Sequence, residues 1–197
     1  MMVDYVYQEK YTSKVKRLMK GARFRIPSAD VHDIYYVDRH LDREQLLTLS
    51  SSQFISEARN FVFRSFTGSG KRYLACALGK EACKQGIRTR YIRMSDLLME
   101  WEEDREMPHS VPKLLKKYSN YTLLILDEWL IQTPTEPQFH FLFELIERRY
   151  DENSIIESCL KSSDSHPAVP PTRGAALRAV SNGVLPVSLC ESVVSFE

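Results

Sequence analysis

The chain of 197 residues carries 27 basic and 26 acidic residues and is 43% hydrophobic, a balance that suits one domain with at most an appendage and gives no global signature of a nucleic-acid binder. That length buries enough surface for a core without disulfide or metal staples. No apolar run approaches the ~18 residues of a membrane span, and Asp4 and Glu9 near the start speak against a signal peptide, so no membrane contact and a cytoplasmic location are expected.

Residues 1–58 read as a basic, helical N-terminal region. Seven basic residues and no acidic one lie between Lys10 and Arg25, on a helix expected to end near Gly21. Lys14, Lys16, Arg17, Lys20, Arg23 and Arg25 are the candidate contacts to duplex DNA; a plain solvated helix face is the alternative. A second helix is expected across "DREQLLTLSSSQFISEAR", where Leu46, Leu47, Phe54 and Ile55 recur at helical spacing.

Residues 59–156 alternate strand and helix patterns. "NFVFRSF" is a strand, followed by a helix from Lys71 to Gln85 that Gly86 would terminate. "TRYIRM" is a strand, after which Ser95 is expected to cap a helix through "DLLMEWEE". "KLLKKY" is a short helix and "YTLLILDE" a continuous apolar strand suited to the middle of a parallel sheet. Thr135 opens a helix with Pro137 in its first turn, whose Phe139, Leu142 and Phe143 are candidate core residues. Trp101 and Trp129 read as packing residues, and "NSII" starts a further strand. Strand, crossover helix and strand again predict right-handed βαβ units in a three-layer α/β fold.

Residues 157–197 change in kind. They hold eight Ser, four Pro and a single aromatic, Phe196, and read as a divergent, disordered tail unable to complete a core. The cysteines, Cys76, Cys83, Cys159 and Cys190, form no C-x-x-C pair and read as small buried hydrophobes. The five histidines show no ligand spacing.

The chemistry concentrates in "SFTGSGKR". A strand, a glycine-bearing turn and an immediate helix form a phosphate-binding loop, in which successive N–H groups and the helix N-terminus face phosphate oxygens. Ser65, Thr67, Gly68, Ser69, Gly70, Lys71 and Arg72 are the candidate ATP or ADP site, with Lys71 reaching the β- and γ-phosphates. About fifty-five residues on, "LLILDE" ends a strand expected to lie beside the loop's own strand. Asp127 would hold Mg²⁺ through water and Glu128 would orient and activate the attacking water; alone, the pair could equally be the polar end of a strand.

"GSGKRYLACALGKEACKQGIRTRYIRMSDLLMEW", "LLKKYSNYTLLILDEW" and "FLFELIERRYDENSII" resemble the IstB-like ATP-binding family over roughly residues 10–156. These are AAA+ ATPases that assist an insertion-sequence transposase and are similar to DnaC-type helicase loaders. The resemblance implies a P-loop α/β/α fold with a parallel sheet, ATP with Mg²⁺, non-specific duplex DNA, a transposase partner and a homo-oligomer. A DnaC-like helicase loader and a non-catalytic DNA- or partner-binding remnant are the alternatives, with a small-molecule kinase behind them. The departures are specific: Ser65 replaces the loop's first Gly, Phe66 a Pro, Arg72 the Mg²⁺-ligating hydroxyl, and Leu130 a Gly after the Trp. After Ile156 the polar sensor residue and the later Asp-Arg segment have no counterpart, and Glu157 falls in what should be an apolar strand. A guanidinium cannot coordinate a cation, so weak nucleotide binding with little or no hydrolysis is expected, along with a weakened oligomer and an incomplete C-terminal part.

Overall fold

The computed structural model describes residues 2–34, 43–160 and 192–195. The proline-free opening stretch forms α1 (Met2–Ala22), which stops where Arg23 takes a left-handed φ of 56°. A 3-10 turn at Val31–Asp33 follows, with the Asp30 carboxylate accepting from the His32 N–H at 3.0 Å. The single helix expected over "DREQLLTLSSSQFISEAR" is two, α2 (Arg43–Ser50) and α3 (Gln53–Ser56). The run of three serines breaks it, with Ser52 left-handed at φ 58°.

Next come β1 (Phe61–Ser65), α4 (Lys71–Lys84), β2 (Thr89–Arg93), α5 (Met94–Arg105), α6 (Ser110–Ser119), β3 (Leu123–Trp129), α7 (Glu136–Glu147), β4 (Ser154–Leu160) and β5 (Ser192–Ser195). Ser95 is not the cap of α5. Strand β2 runs directly into the helix, Arg93 occupies the cap position, and its guanidinium pairs with Asp96 at 2.6 Å. Thr135 does cap α7, its N–H donating to Gln138 Oε1 at 2.9 Å.

All strand pairs are parallel, in the order β2-β3-β4-β1-β5. The expected neighbour relation of β1 and β3 is therefore wrong, because β4 lies between them. Alternate residues of β3 feed opposite faces of the sheet. Leu123 and Ile125 pack with Leu74, Ala75 and Leu78 of α4, whereas Leu124 and Leu126 pack with Leu97, Trp101, Leu115 and Leu142 of α5, α6 and α7. Both tryptophans are buried, and Trp101 stacks on Phe141 at 5.6 Å. Phe141, rather than Phe143, joins Phe139 and Leu142 in the core. Each such fully buried side chain contributes about 1.5–3 kcal/mol.

Two expected boundaries shift. Ala29, Val31, Leu46, Leu49, Phe54 and Ile55 belong to the same cluster as α4, so residues 1–58 include part of the central core. Gly79 allows this closeness, since a Cβ there would lie 2.6 Å from the Phe24 ring and 2.7 Å from Ile125 Cδ1. At the other end β4 runs four residues past Ile156, with Glu157 buried opposite Val62 and Leu126. The strand tolerates that carboxyl because burial pushes its pKa up to about 8, which keeps it neutral near pH 7. Residues 161–191, which make up most of the expected tail and include Cys190, lie outside the described residues. No described helix is long and apolar enough to cross a membrane.

Candidate functional site

The turn between β1 and α4 has glycine where the backbone requires it. Gly68 and Gly70 stand at φ 85° and 93°, a region that costs other residues about 1–2 kcal/mol. Lys71, the first residue of α4, is 8% exposed. Its ammonium donates to the carbonyls of Ser65 (2.7 Å) and Phe66 (2.6 Å) and to Ser69 Oγ (3.3 Å), so all three N–H groups are used within the loop. Burial holds its pKa below the usual lysine value. Ser65 has a fully buried side chain, so what it offers the site is its carbonyl.

The acidic pair sits on an irregularity of β3. Leu126 faces Glu157 and Trp129 faces Cys159, so Asp127 and Glu128 together oppose the single residue Ser158. Strict alternation would send their carboxylates to opposite faces. The extra residue, with Glu128 at φ 58°, turns both toward one group. That group is Arg72. Its Nε donates to Asp127 Oδ2 and its Nη2 to Glu128 Oε1, each at 2.6 Å. Leu130 takes φ 52°, the conformation for which glycine is suited, while its N–H reaches Met94 Sδ at 3.3 Å.

A third group, absent from the sequence-based expectation, completes the cluster. The Tyr91 hydroxyl, from β2, donates to Asp127 Oδ2 at 2.5 Å. Burial alone would raise the pKa of Asp127, but the bonds from Tyr91 and Arg72 outweigh it and hold the carboxyl below its ordinary value. The same bond to Asp127 raises the pKa of Arg72. Burial first, and then the bond to Asp127, raise that of Tyr91.

The β1–α4 turn, Arg72 and the acidic pair line a cleft of about 350 Å³ at the carboxyl ends of the strands, within the range of small-ligand sites; Tyr91 touches Asp127 but is not on the cleft wall. Thr67, Gly68, Gly70, Lys71, Arg72, Asp127 and Glu128 all meet there as the spacing suggests; Ser65 and Ser69 are not on its wall, and Ser69 Oγ is turned to the Lys71 ammonium. Ile26, Tyr73 and Cys159 also line it and were not anticipated. Tyr73 accepts from the Asp30 N–H at 3.1 Å, which fastens the segment carrying Ile26 over the start of α4. Cys159 is the penultimate residue of β4, near the strand end where the family resemblance implies a polar sensor; burial pushes its thiol up to about 11. A larger hollow of about 560 Å³ adjoins this cleft between α5 and the β3–α7 connection, sharing Glu128 and Ile131 but none of the residues of the β1–α4 turn. Among the described residues no cluster of three or more His, Cys, Asp or Glu is arranged to hold a metal ion.

The basic residues form a separate surface. Lys14, Lys16, Arg17 and Lys20 are exposed on α1, and Arg23 and Arg25 are exposed just beyond it. Val15, Leu18, Met19 and Ala22 are the more buried positions of the helix, which packs on β2 and α4. The Tyr11 hydroxyl donates to the Lys84 carbonyl, and Arg90 Nη1 reaches the Gly21 carbonyl at 3.4 Å.

Comparison with known proteins adds an independent line. The family model described as "IstB-like ATP binding protein" matches residues 1–166, ten residues beyond the expected end of the resemblance. The insertion sequence IS1162 ATP-binding protein of Pseudomonas fluorescens is 34% identical over 76% of this chain and 65% of its own length. An insertion sequence ATP-binding protein of Sinorhizobium fredii is 33% identical over 70% of this chain and 55% of its own length. The chain therefore spans less than two thirds of these relatives. Among solved structures, the DnaC helicase loader is 22% identical with a TM-score of 0.64, covering 86% of this chain and 97% of that one. AMPPCP-bound DnaA from Aquifex aeolicus is 19% identical with a TM-score of 0.64, covering 87% and 50%. At these identities the two structures speak for the fold alone, a parallel α/β sheet flanked by helices.

Proposed function

Because the chain belongs to the IstB-like ATP binding protein family, we propose that it is an ATP-binding protein that assists DNA transposition, acting with a transposase on duplex DNA. The observation that carries this reading is the meeting of Lys71, Arg72, Asp127 and Glu128 in one cleft below a loop of left-handed glycines. In this reading the phosphates lie over the N–H groups of Gly68 to Arg72, with Thr67 and Ser69 beside them and the Lys71 ammonium turning from the loop carbonyls to phosphate oxygens. Ile26 offers an apolar wall for the base.

The division of labour between the acids is Asp127 toward a cation and Glu128 toward an attacking water, and in this chain Arg72 already engages both. Binding should therefore persist where turnover is slow. The exposed cations of α1, with Arg23 and Arg25, would contact DNA phosphates without reading sequence; six contacts give log K a slope of about −5 against log salt. Self-association on DNA is part of the same proposal.

Titrating the full chain with a fluorescent ATP analogue, and separately with a duplex across a salt series, tests the reading. Saturable nucleotide binding and a steep salt slope are expected; absence of nucleotide binding would favour a remnant that works through its basic face alone. A helicase loader of DnaC type has the same architecture. Co-purification with a helicase instead of a transposase would select it.

A further inference from the structure

The fold family implies a Mg²⁺ ion held between the loop hydroxyl, the strand-end acid and the phosphates. The residues of this chain do not fit that ion. At the hydroxyl's position stands Arg72, whose guanidinium has N–H donors only and no lone pair for a cation. It occupies Asp127 Oδ2 and Glu128 Oε1, and Tyr91 adds a second bond to the same Asp127 oxygen. The two carboxylates that would draw a cation thus already have a cationic partner, and Lys71 adds a second positive charge to the same cleft.

We infer that this cleft takes a nucleoside polyphosphate free of divalent cation, with the Arg72 guanidinium as the built-in counter-cation. The inference rests on the nucleotide-binding reading above and names the form of the ligand. Arg72 gives one Nε bond and one Nη2 bond to the acids, and a guanidinium has five N–H donors in a planar fork, so donors remain for phosphate oxygens. It then bridges carboxylates to phosphate as a bound cation would, without bringing a hydration shell. The same arrangement ties Glu128 to Arg72, so the bound nucleotide is held and not turned over.

The test measures binding of a fluorescent ATP analogue to the full chain in EDTA and in excess Mg²⁺, together with the electron paramagnetic resonance of Mn²⁺ in the nucleotide complex. The wild-type chain is expected to bind in EDTA and to weaken by roughly tenfold in excess Mg²⁺, the equivalent of one charge-assisted hydrogen bond. It should show no immobilised Mn²⁺. Arg72→Thr, which restores a hydroxyl at a part-exposed position, is expected to reverse both results. Tighter wild-type binding in Mg²⁺, or an immobilised Mn²⁺ signal, overturns the inference and leaves nucleotide binding standing. If only Arg72→Thr binds, the inference also fails while the loop assignment survives. If neither chain binds in either buffer, the nucleotide reading itself is overturned and the inference with it.

Discussion

Arg149 and Lys71 are both cations held by backbone carbonyls, at opposite ends of one parallel sheet. Arg149 sits near the amino ends of the strands, fully buried, with Nη1 on the carbonyls of Tyr118 (2.8 Å), Ser119 (3.3 Å) and Tyr121 (2.6 Å) and Nη2 on that of Ser154 (2.7 Å). Burial pulls its pKa down to about 9, still above neutrality. Lys71 sits at the carboxyl ends, on two carbonyls and a hydroxyl, beside a cleft. The bonding is alike and the surroundings differ. A sealed cation stitches α6, β3 and β4 together, whereas a cation on the wall of a cleft can exchange its partners for a ligand.

The contrast is broken most directly at its sealed end. Arg149→Ala should cost about 3–5 kcal/mol, because it leaves several buried carbonyls without donors. A denaturant midpoint close to wild type would remove the sealed half of the comparison. Glu157, buried in β4 between the two ends, supplies a second measure of how dry the interior is. Its folded pKa of about 8 lies above its ordinary 4.5, so the folded chain keeps a proton that the unfolded chain releases. The contribution of this group is complete below about pH 4.5 and declines by up to about 1.4 kcal/mol per pH unit until about pH 8. Glu157→Gln should flatten that decline in urea midpoints taken across the window; an unaltered pH profile would show the carboxyl to be solvated.

At the open end the expected losses are in binding. Lys71→Ala should weaken nucleotide affinity by about 1.5–3 kcal/mol, roughly ten- to 150-fold, while leaving thermal stability within about 1 kcal/mol because the cleft admits water to the vacated carbonyls. A large drop in melting temperature without loss of affinity would make Lys71 a second Arg149. The layer that joins the N-terminal segment to α4 should respond least. Gly79→Ala sets a methyl against Phe24 and Ile125 and should cost about 1–3 kcal/mol, read from unfolding midpoints. Unchanged stability would mean that Phe24 has room to retreat.

What could be read in advance follows the same division. The strand–turn–helix at β1–α4 was legible because Gly68 and Gly70 answer to local backbone demands, and the acidic strand end because an unbroken apolar run preceded it. Tyr91 and Ile26 were not, since each depends on a tertiary arrangement: the β2–β3 pairing brings Tyr91 to Asp127, and the Asp30–Tyr73 bond holds the segment carrying Ile26 over α4. Tyr73 follows Arg72 directly, but an aromatic there belongs to no loop pattern. Arg149 was invisible for a related reason. Its partners are main-chain oxygens from three separate places, and carbonyls leave no mark in the residue pattern. The assumption that Asp127 lies on the strand next to β1 failed because spacing along the chain does not give the order of strands, and β4 inserts between them.

The doubled step in β3 makes the count of residues between Leu126 and Trp129 as consequential as their identity. A chain shortened by one at that point would still zip neatly against β4. Its surviving acid would then answer to the regular in-and-out rhythm of the pleat, and the forked grip on Arg72 would lose one prong. Substitutions there can be graded by chemistry, whereas a deletion changes the geometry itself.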